Sequence, residues 1–218
     1  MRSSTHKGIV CLSCQNTIAF NIPPFCRQCS RHLGAEPYSN QCHSCRRYQP
    51  HFDFAWGTCL YDDTLKKLIH EFKYNQRTLL CQLFHEKIAG FIEHYHFDIN
   101  QFDYLVPIPL SAARFRERGY NQALLLAQEL SRSFQIPLSQ NNLIRVRHTP
   151  TQTLLDEKQR WTNLKGAFKM KNSCAFKDKS ILIIDDLLTT GATASEAARV
   201  LKECAAKTVG VLTVGITL

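Results

Sequence analysis

Residues 181–193 read Ile-Leu-Ile-Ile-Asp-Asp-Leu-Leu-Thr-Thr-Gly-Ala-Thr, and this stretch constrains the fold most. Four consecutive branched aliphatics, Ile181 to Ile184, predict a strand buried on both faces, as in a parallel sheet covered by helices. Residues 187–192 read as a loop, and residues 193–204 as a helix. In an open α/β sheet, ligands bind beyond the carboxyl ends of the strands. Asp185 and Asp186 are therefore expected at a ligand crevice, placed to accept hydrogen bonds from vicinal hydroxyls such as those of a ribose. Thr189, Thr190 and Thr193 offer hydroxyls, and Gly191 lacks the Cβ that would hold backbone N–H groups away from a phosphate. The helix start adds a partial positive charge that favours an anion. Nine consecutive residues thus address a diol and a phosphate one ribose apart.

The rest of the chain fits that class. Residues 209–216 read as a closing strand, and strand-helix-strand order implies parallel pairing through a crossover. Leu65, Leu68, Ile69 and Phe72 recur at helical spacing after Asp62-Asp63, which predicts an amphipathic helix with an acidic start. A second helix carries Leu79, Leu80, Leu83, Ile88, Phe91 and Ile92, separated from the first by Asn75-Gln76. Residues 104–110 form an apolar run closed by Pro107 and Pro109, a buried strand leading into a loop. A basic loop with Arg114, Arg116 and Arg118 follows, then a helix over residues 123–134, a strand over 141–146 and a helix over 156–164. The fold class is α/β, a mostly parallel sheet flanked by helices.

Ten cysteines are present, six of them in Cys-x-x-Cys pairs: Cys11/Cys14, Cys26/Cys29 and Cys42/Cys45. Two residues between thiolates let both sulfurs reach one Zn²⁺ at about 2.3 Å. One structural zinc takes four sulfurs, so two quartets compete. Cys11/Cys14 can join Cys26/Cys29, or Cys26/Cys29 can join Cys42/Cys45. Residues 1–55, holding all three pairs, are expected to form a metal-stapled module, and residues 56–218 the main domain. Cys59, Cys81, Cys174 and Cys204 are scattered and read as small buried hydrophobes.

The chain has 218 residues, 44% of them hydrophobic, which excludes a wholly disordered protein, and a net charge of +9 at pH 7. Residues 1–60 carry six Lys or Arg against two acids, as expected of a basic finger. Apolar runs fall far short of the roughly 18–20 residues that cross a bilayer. The first ten residues lack the apolar core of a signal peptide, and a cytoplasmic location is expected. Phe52, Phe54, Trp56 and Tyr61 either pack where the finger docks or stack on bases.

Four hydrophobics, two acids, two hydrophobics and Thr-Thr-Gly-x-Thr resemble the 5-phosphoribosyl 1-diphosphate (PRPP) signature of the type I phosphoribosyltransferases. The ordered set is more specific. N-terminal Cys pairs, residues 68–74 (Leu-Ile-His-Glu-Phe-Lys-Tyr), Val106 to Leu110, Arg118-Gly119-Tyr120-Asn121-Gln122, Thr149 with Gln152, and Arg160 with Asn163 resemble the ComF family of competence proteins. The resemblance implies a type I phosphoribosyltransferase fold with a small N-terminal zinc-ribbon-like module. That family often carries four Cys pairs, and this chain has three. By the same resemblance, Asp185 and Asp186 face the ribose hydroxyls, and Thr189, Thr190, Gly191, Ala192 and Thr193 hold the 5′-phosphate, with Mg²⁺ accompanying PRPP. Arg114, Arg116 and Arg118 follow the expected pyrophosphate loop, residues 109–112, and are candidates to hold the leaving pyrophosphate. A solvated face or a nucleic-acid contact is the alternative for these arginines. Lys73 and Arg160 are weaker candidates. No general base stands out, since His70 and His148 show no partner in sequence. The implied function is DNA uptake in natural transformation, with PRPP binding and handling of incoming single-stranded DNA in the cytosol. A competence helicase and a recombination mediator are the implied partners. The alternatives are an active phosphoribosyltransferase acting on a base or amine, and a zinc-stapled adaptor with a vestigial pocket.

Overall fold

A computed structural model describes residues 9–34, 40–147 and 156–217; His148, Thr149 and Gln152 lie outside the described residues. In chain order the elements are α1 (Leu12–Thr17), α2 (His43–Tyr48), β1 (Phe54–Leu60), α3 (Asp63–Tyr74), α4 (Leu80–His94), β2 (Tyr104–Pro107), α5 (Ala112–Arg118) and α6 (Gln122–Phe134). They continue with β3 (Leu143–Arg145), α7 (Glu157–Asn163), β4 (Phe168–Met170), β5 (Ser180–Leu188), α8 (Ala192–Glu203) and β6 (Thr208–Ile216).

Four strands form one parallel sheet in the order β1-β6-β5-β2. Alternation along β5 divides the core between the two faces. Ile181 and Ile183 pack with Val209 and Val211 of β6 and with Ala197 and Ala198 of α8. Leu182 and Ile184 pack on Leu65 and Ile69 of α3, Phe84 and Ile88 of α4, and Leu126 and Leu130 of α6. Each of these side chains is fully buried, and each Val, Leu, Ile or Phe among them gains roughly 1.5–3 kcal/mol before entropy is counted. Caps set the helix ends. Asp62 accepts from Leu65 N at 2.8 Å at the start of α3, and Asp156 closes a capping box with Gln159 on α7.

The cysteine-rich segment shares this core. Cys26, Cys29 and Cys45 belong to the same buried cluster as Ile183 and Val211. Its backbone also runs along the open edge of β1. Asn21 N donates to Thr58 O at 2.9 Å and Ala55 N to Gln28 O at 2.7 Å, and the Asn21 amide bonds the carbonyls of Ser30 and Gly57. Covering the edge removes a template for intermolecular strand pairing.

Several elements differ from the sequence expectation. β1 was not anticipated, because Gly57 interrupts its apolar pattern; a Cβ there would lie 2.3 Å from Ile216 Cβ on the neighbouring strand. β5 does not stop at Ile184. Its pairing with β6 continues to Leu188↔Ile216, so both acids lie within the strand and the loop shrinks to residues 189–191. The expected basic loop is helix α5, with Ser111 Oγ accepting from Arg114 N and Gly119 closing it at φ 78°. The strand near residue 143 is β3, paired antiparallel to β4 in a separate two-stranded sheet. Among the described residues, no helix is long and apolar enough to cross a membrane.

Candidate ligand cleft and metal centre

All four sheet strands run parallel, so their carboxyl ends meet on one side. There the residues after β1, β2, β5 and β6 line a cleft of about 910 Å³. Asp185, Asp186, Thr189, Thr190 and Thr193 all face it, as do seven Lys or Arg side chains against three acids. Strand alternation gives the paired acids different neighbours. Asp186, 6% exposed, is 2.8 Å from Lys73 Nζ of α3. Asp185 feels Arg145 of β3 and accepts from Asp186 N at 2.9 Å. Burial first, and then the Asp186 carboxylate beside it, push the Asp185 carboxyl up to about 7. Burial pulls the Lys73 ammonium down, but the Asp186 carboxylate more than offsets it and holds Lys73 above its ordinary value. Perturbed groups of this kind in a cleft mark functional sites.

Gly191 sits at φ 81° as the N-cap of α8. That left-handed angle is what requires glycine, since an added Cβ would meet the Phe52 ring at 3.6 Å and Leu188 Cδ1 at 4.0 Å, both ordinary contacts. Ala192 N donates to Thr190 Oγ1 at 3.4 Å and Ser195 N to Gly191 O at 2.8 Å. α8 therefore begins at Ala192, one residue before the expected start, and Thr193 stands in its first turn. N–H groups of a first turn lack intrahelical partners and point at whatever occupies the loop.

The arginine triad divides. On helix α5, Arg114 and Arg118 are four residues apart and both face the cleft, whereas Arg116 is exposed and does not. Arg118 Nη1 donates to Gln122 Oε1 at 3.0 Å, and its guanidinium lies 4.9 Å above the Tyr74 ring. The surrounding Gly-Tyr-Asn-Gln run positions α3. Tyr120 Oη donates to Phe72 O, Gln122 Nε2 to Lys73 O at 3.4 Å, and Asn121 Nδ2 to Ile108 O at 2.9 Å. The Tyr120 and Gln122 bonds hold the end of α3, and with it Lys73, beside Asp186, while the Asn121 bond ties the run to the segment after β2. Arg160 also lines the cleft, as does His70, whose ring packs 4.8 Å from Tyr74. Of the four flagged aromatics, Phe52 is buried, Phe54 and Trp56 pack on Phe97, Phe102, Phe25 and Phe91, and Tyr61 lines the cleft.

The Cys26/Cys29 and Cys42/Cys45 pairs form one cluster, with all four sulfurs within 4.8 Å of one another and Cys29 Sγ 3.6 Å from Cys42 Sγ. Tetrahedral Zn²⁺ with bonds of about 2.3 Å spaces its sulfurs about 3.8 Å apart, so the quartet fits such an ion. Hydrogen bonds with Cys29, Cys42 and Cys45 pull the Cys26 thiol down, while contacts with Cys26, Cys29 and Cys42 push Cys45 up. The first pair sits on a turn closed by Cys26 N donating to Arg31 O at 2.8 Å, and the second opens α2. Cys11 and Cys14 are not in the cluster; they are exposed on α1, and the Ser13 hydroxyl and the adjacent Cys14 lower Cys11 to about 7. Cys59 and Cys81 are buried as expected, Cys204 is partly buried and Cys174 is exposed.

Arg31, Lys66 and Arg145 line the cleft without a signal in the sequence. Arg31, two residues past Cys29, reaches out of the cysteine segment, and its Nη2 donates to Thr189 O at 2.7 Å.

Residues 120–214 match the phosphoribosyl transferase domain family. Competence protein F of Haemophilus influenzae is 32% identical over 204 residues, covering 90% of this chain and 86% of that protein. Competence protein ComFC of Bacillus subtilis is 32% identical over 198 residues, covering 89% and 78%. The DNA utilization protein YhgH of Escherichia coli O157:H7 is 28% identical over 218 residues, covering 93% and 94%. A parallel sheet bearing a phosphoribosyl transferase domain, a four-cysteine cluster and this identity across most of both chains place the protein in the ComF family of competence proteins.

Proposed function

We propose that this chain binds PRPP with Mg²⁺ in the cleft and acts in DNA uptake during natural transformation, handling incoming single-stranded DNA in the cytosol. The carrying observation is convergence: two acids, a Thr-Thr-Gly loop and a helix start meet seven basic side chains in one cleft. In this reading Asp185 and Asp186 accept from the ribose hydroxyls, and Thr189, Thr190, Gly191, Ala192 and Thr193 enclose the 5′-phosphate. Arg114 and Arg118 face the pyrophosphate. Mg²⁺ is held mainly by substrate oxygens and water. Zinc in the Cys26, Cys29, Cys42 and Cys45 quartet is structural. The competence and DNA-utilization names of the relatives support the role in DNA uptake.

DNA handling is supported by the +9 charge, since phosphate contacts by Lys and Arg give sequence-independent affinity. Fluorescence anisotropy with a labelled oligonucleotide tests it. Affinity should fall by orders of magnitude between about 50 and 200 mM salt, and a flat salt response would reject the DNA part. Turnover of PRPP is the second reading, favoured by Arg114 and Arg118 lying on the cleft face of α5. Pyrophosphate release on addition of an acceptor base or amine would establish it.

A further inference from the structure

Arg31 belongs to the turn that carries Cys26 and Cys29, yet its guanidinium lies in the cleft. Among the described residues it makes one side-chain hydrogen bond, to Thr189 O, and its Nε is enclosed without a partner. A guanidinium has five donors in a planar fork suited to phosphate oxygens. Here that fork stands at the loop that carries Thr189 and Thr190. With seven Lys or Arg against three acids lining the cleft, this guanidinium adds to positive charge that an anion would neutralise.

The same segment braces the rest of the loop. His51 N donates to Ser195 Oγ at 3.0 Å in the first turn of α8. The Phe52 ring packs under Gly191. Ser44 of α2 donates to Glu157 at 2.5 Å, and Tyr48 stacks on Trp161 at 4.8 Å with the rings 10° apart. Those two contacts fix α7, whose Arg160 also lines the cleft. Cys29 and Cys45 themselves border a small cavity shared with Thr189, Thr190 and Gly191.

We infer that Arg31 is a phosphate-binding residue of the cleft, reaching a phosphomonoester seated on the Thr-Thr-Gly loop, and that the metal-stapled segment supplies it. This rests on the proposed PRPP site. Its consequence is linkage: a loaded cysteine quartet fixes the turn that aims Arg31, so phosphate affinity depends on the metal, and each ligand strengthens the other.

Calorimetric titration of three probes, ribose 5-phosphate, PRPP and inorganic pyrophosphate, into wild type, Arg31→Ala and Arg31→Lys tests the assignment, with metal content and circular dichroism measured on each. Loss of a charge-assisted bond to phosphate should weaken ribose 5-phosphate and PRPP by about 10–100-fold. Pyrophosphate binding should be unchanged, and Arg31→Lys should fall between, keeping the charge without the fork. Chelator-treated wild type should lose ribose 5-phosphate affinity in the same way. Equal weakening of all three probes would make Arg31 a strut and overturn the inference, as would unchanged ribose 5-phosphate affinity in metal-loaded Arg31→Ala or in the chelated protein. If Arg31→Ala is silent while Asp185→Asn/Asp186→Asn abolishes PRPP binding, the site stands and only the role of Arg31 falls. A wild type that binds neither sugar phosphate overturns both.

Discussion

At the residue scale, the cleft sorts side chains that look equivalent in sequence. Arg114, Arg116 and Arg118 alternate along the chain, but a helix turns alternation into opposition, so Arg116 points to solvent. Arg114→Ala and Arg118→Ala should each weaken pyrophosphate binding by roughly 1.5–3 kcal/mol, the worth of a hydrogen bond to a charged group. Arg116→Ala should leave it within about 0.5 kcal/mol; calorimetry on the three variants checks both. Asp185 gives a pH prediction. Its carboxyl is raised from 3.8 to about 7, so between those values the folded protein binds a proton that the unfolded chain has released. Stability therefore falls as pH rises through that window. Asp185→Asn removes the penalty, and its gain in melting temperature should be larger at pH 8 than at pH 5, on the order of a few °C for each kcal/mol relieved. A gain independent of pH would contradict the burial argument.

At the element scale, the test falls on β1. Gly57 is the point where β1 passes closest to β6, with Ile216 Cβ at 2.3 Å and its Cα at 3.2 Å from any added Cβ. Backbone cannot swing away as a side-chain tip can, so Gly57→Ala should cost about 1–3 kcal/mol in denaturant unfolding. The same glycine hid the strand from a reading by pattern. β5 and α8 were legible because their chemistry is local: aliphatics, acids, a Gly at positive φ and a helix follow one another without help from the rest of the chain. α5 was missed although Ser111 and Gly119 were both available as cap signals; the arginines drew the reading toward a loop. β3 answers to the strand read over residues 141–146, whereas β4 is three residues long and acquires strand form only by pairing with β3, which a short window cannot reveal.

At the scale of the whole molecule, cysteine segment and sheet are one packed body, and this explains both what was legible and what was not. Cys-x-x-Cys spacing announced a metal centre, but only folding decides that Cys42/Cys45 joins Cys26/Cys29 and that Cys11/Cys14 lies on α1 instead. Arg31 and Thr189 are 158 residues apart, so no motif joins them. Lys73 could be flagged in sequence only as a weak candidate, because four further helices and three strands separate it along the chain from its partner Asp186. Calorimetric titration of PRPP with Mg²⁺ into wild type and into Asp185→Asn/Asp186→Asn decides whether the carboxyl end of this sheet is a PRPP site. Saturable binding that disappears in the double variant, with the fold intact by circular dichroism, is the predicted result. No heat and no thermal shift with wild type, or equal binding by both proteins, would contradict it.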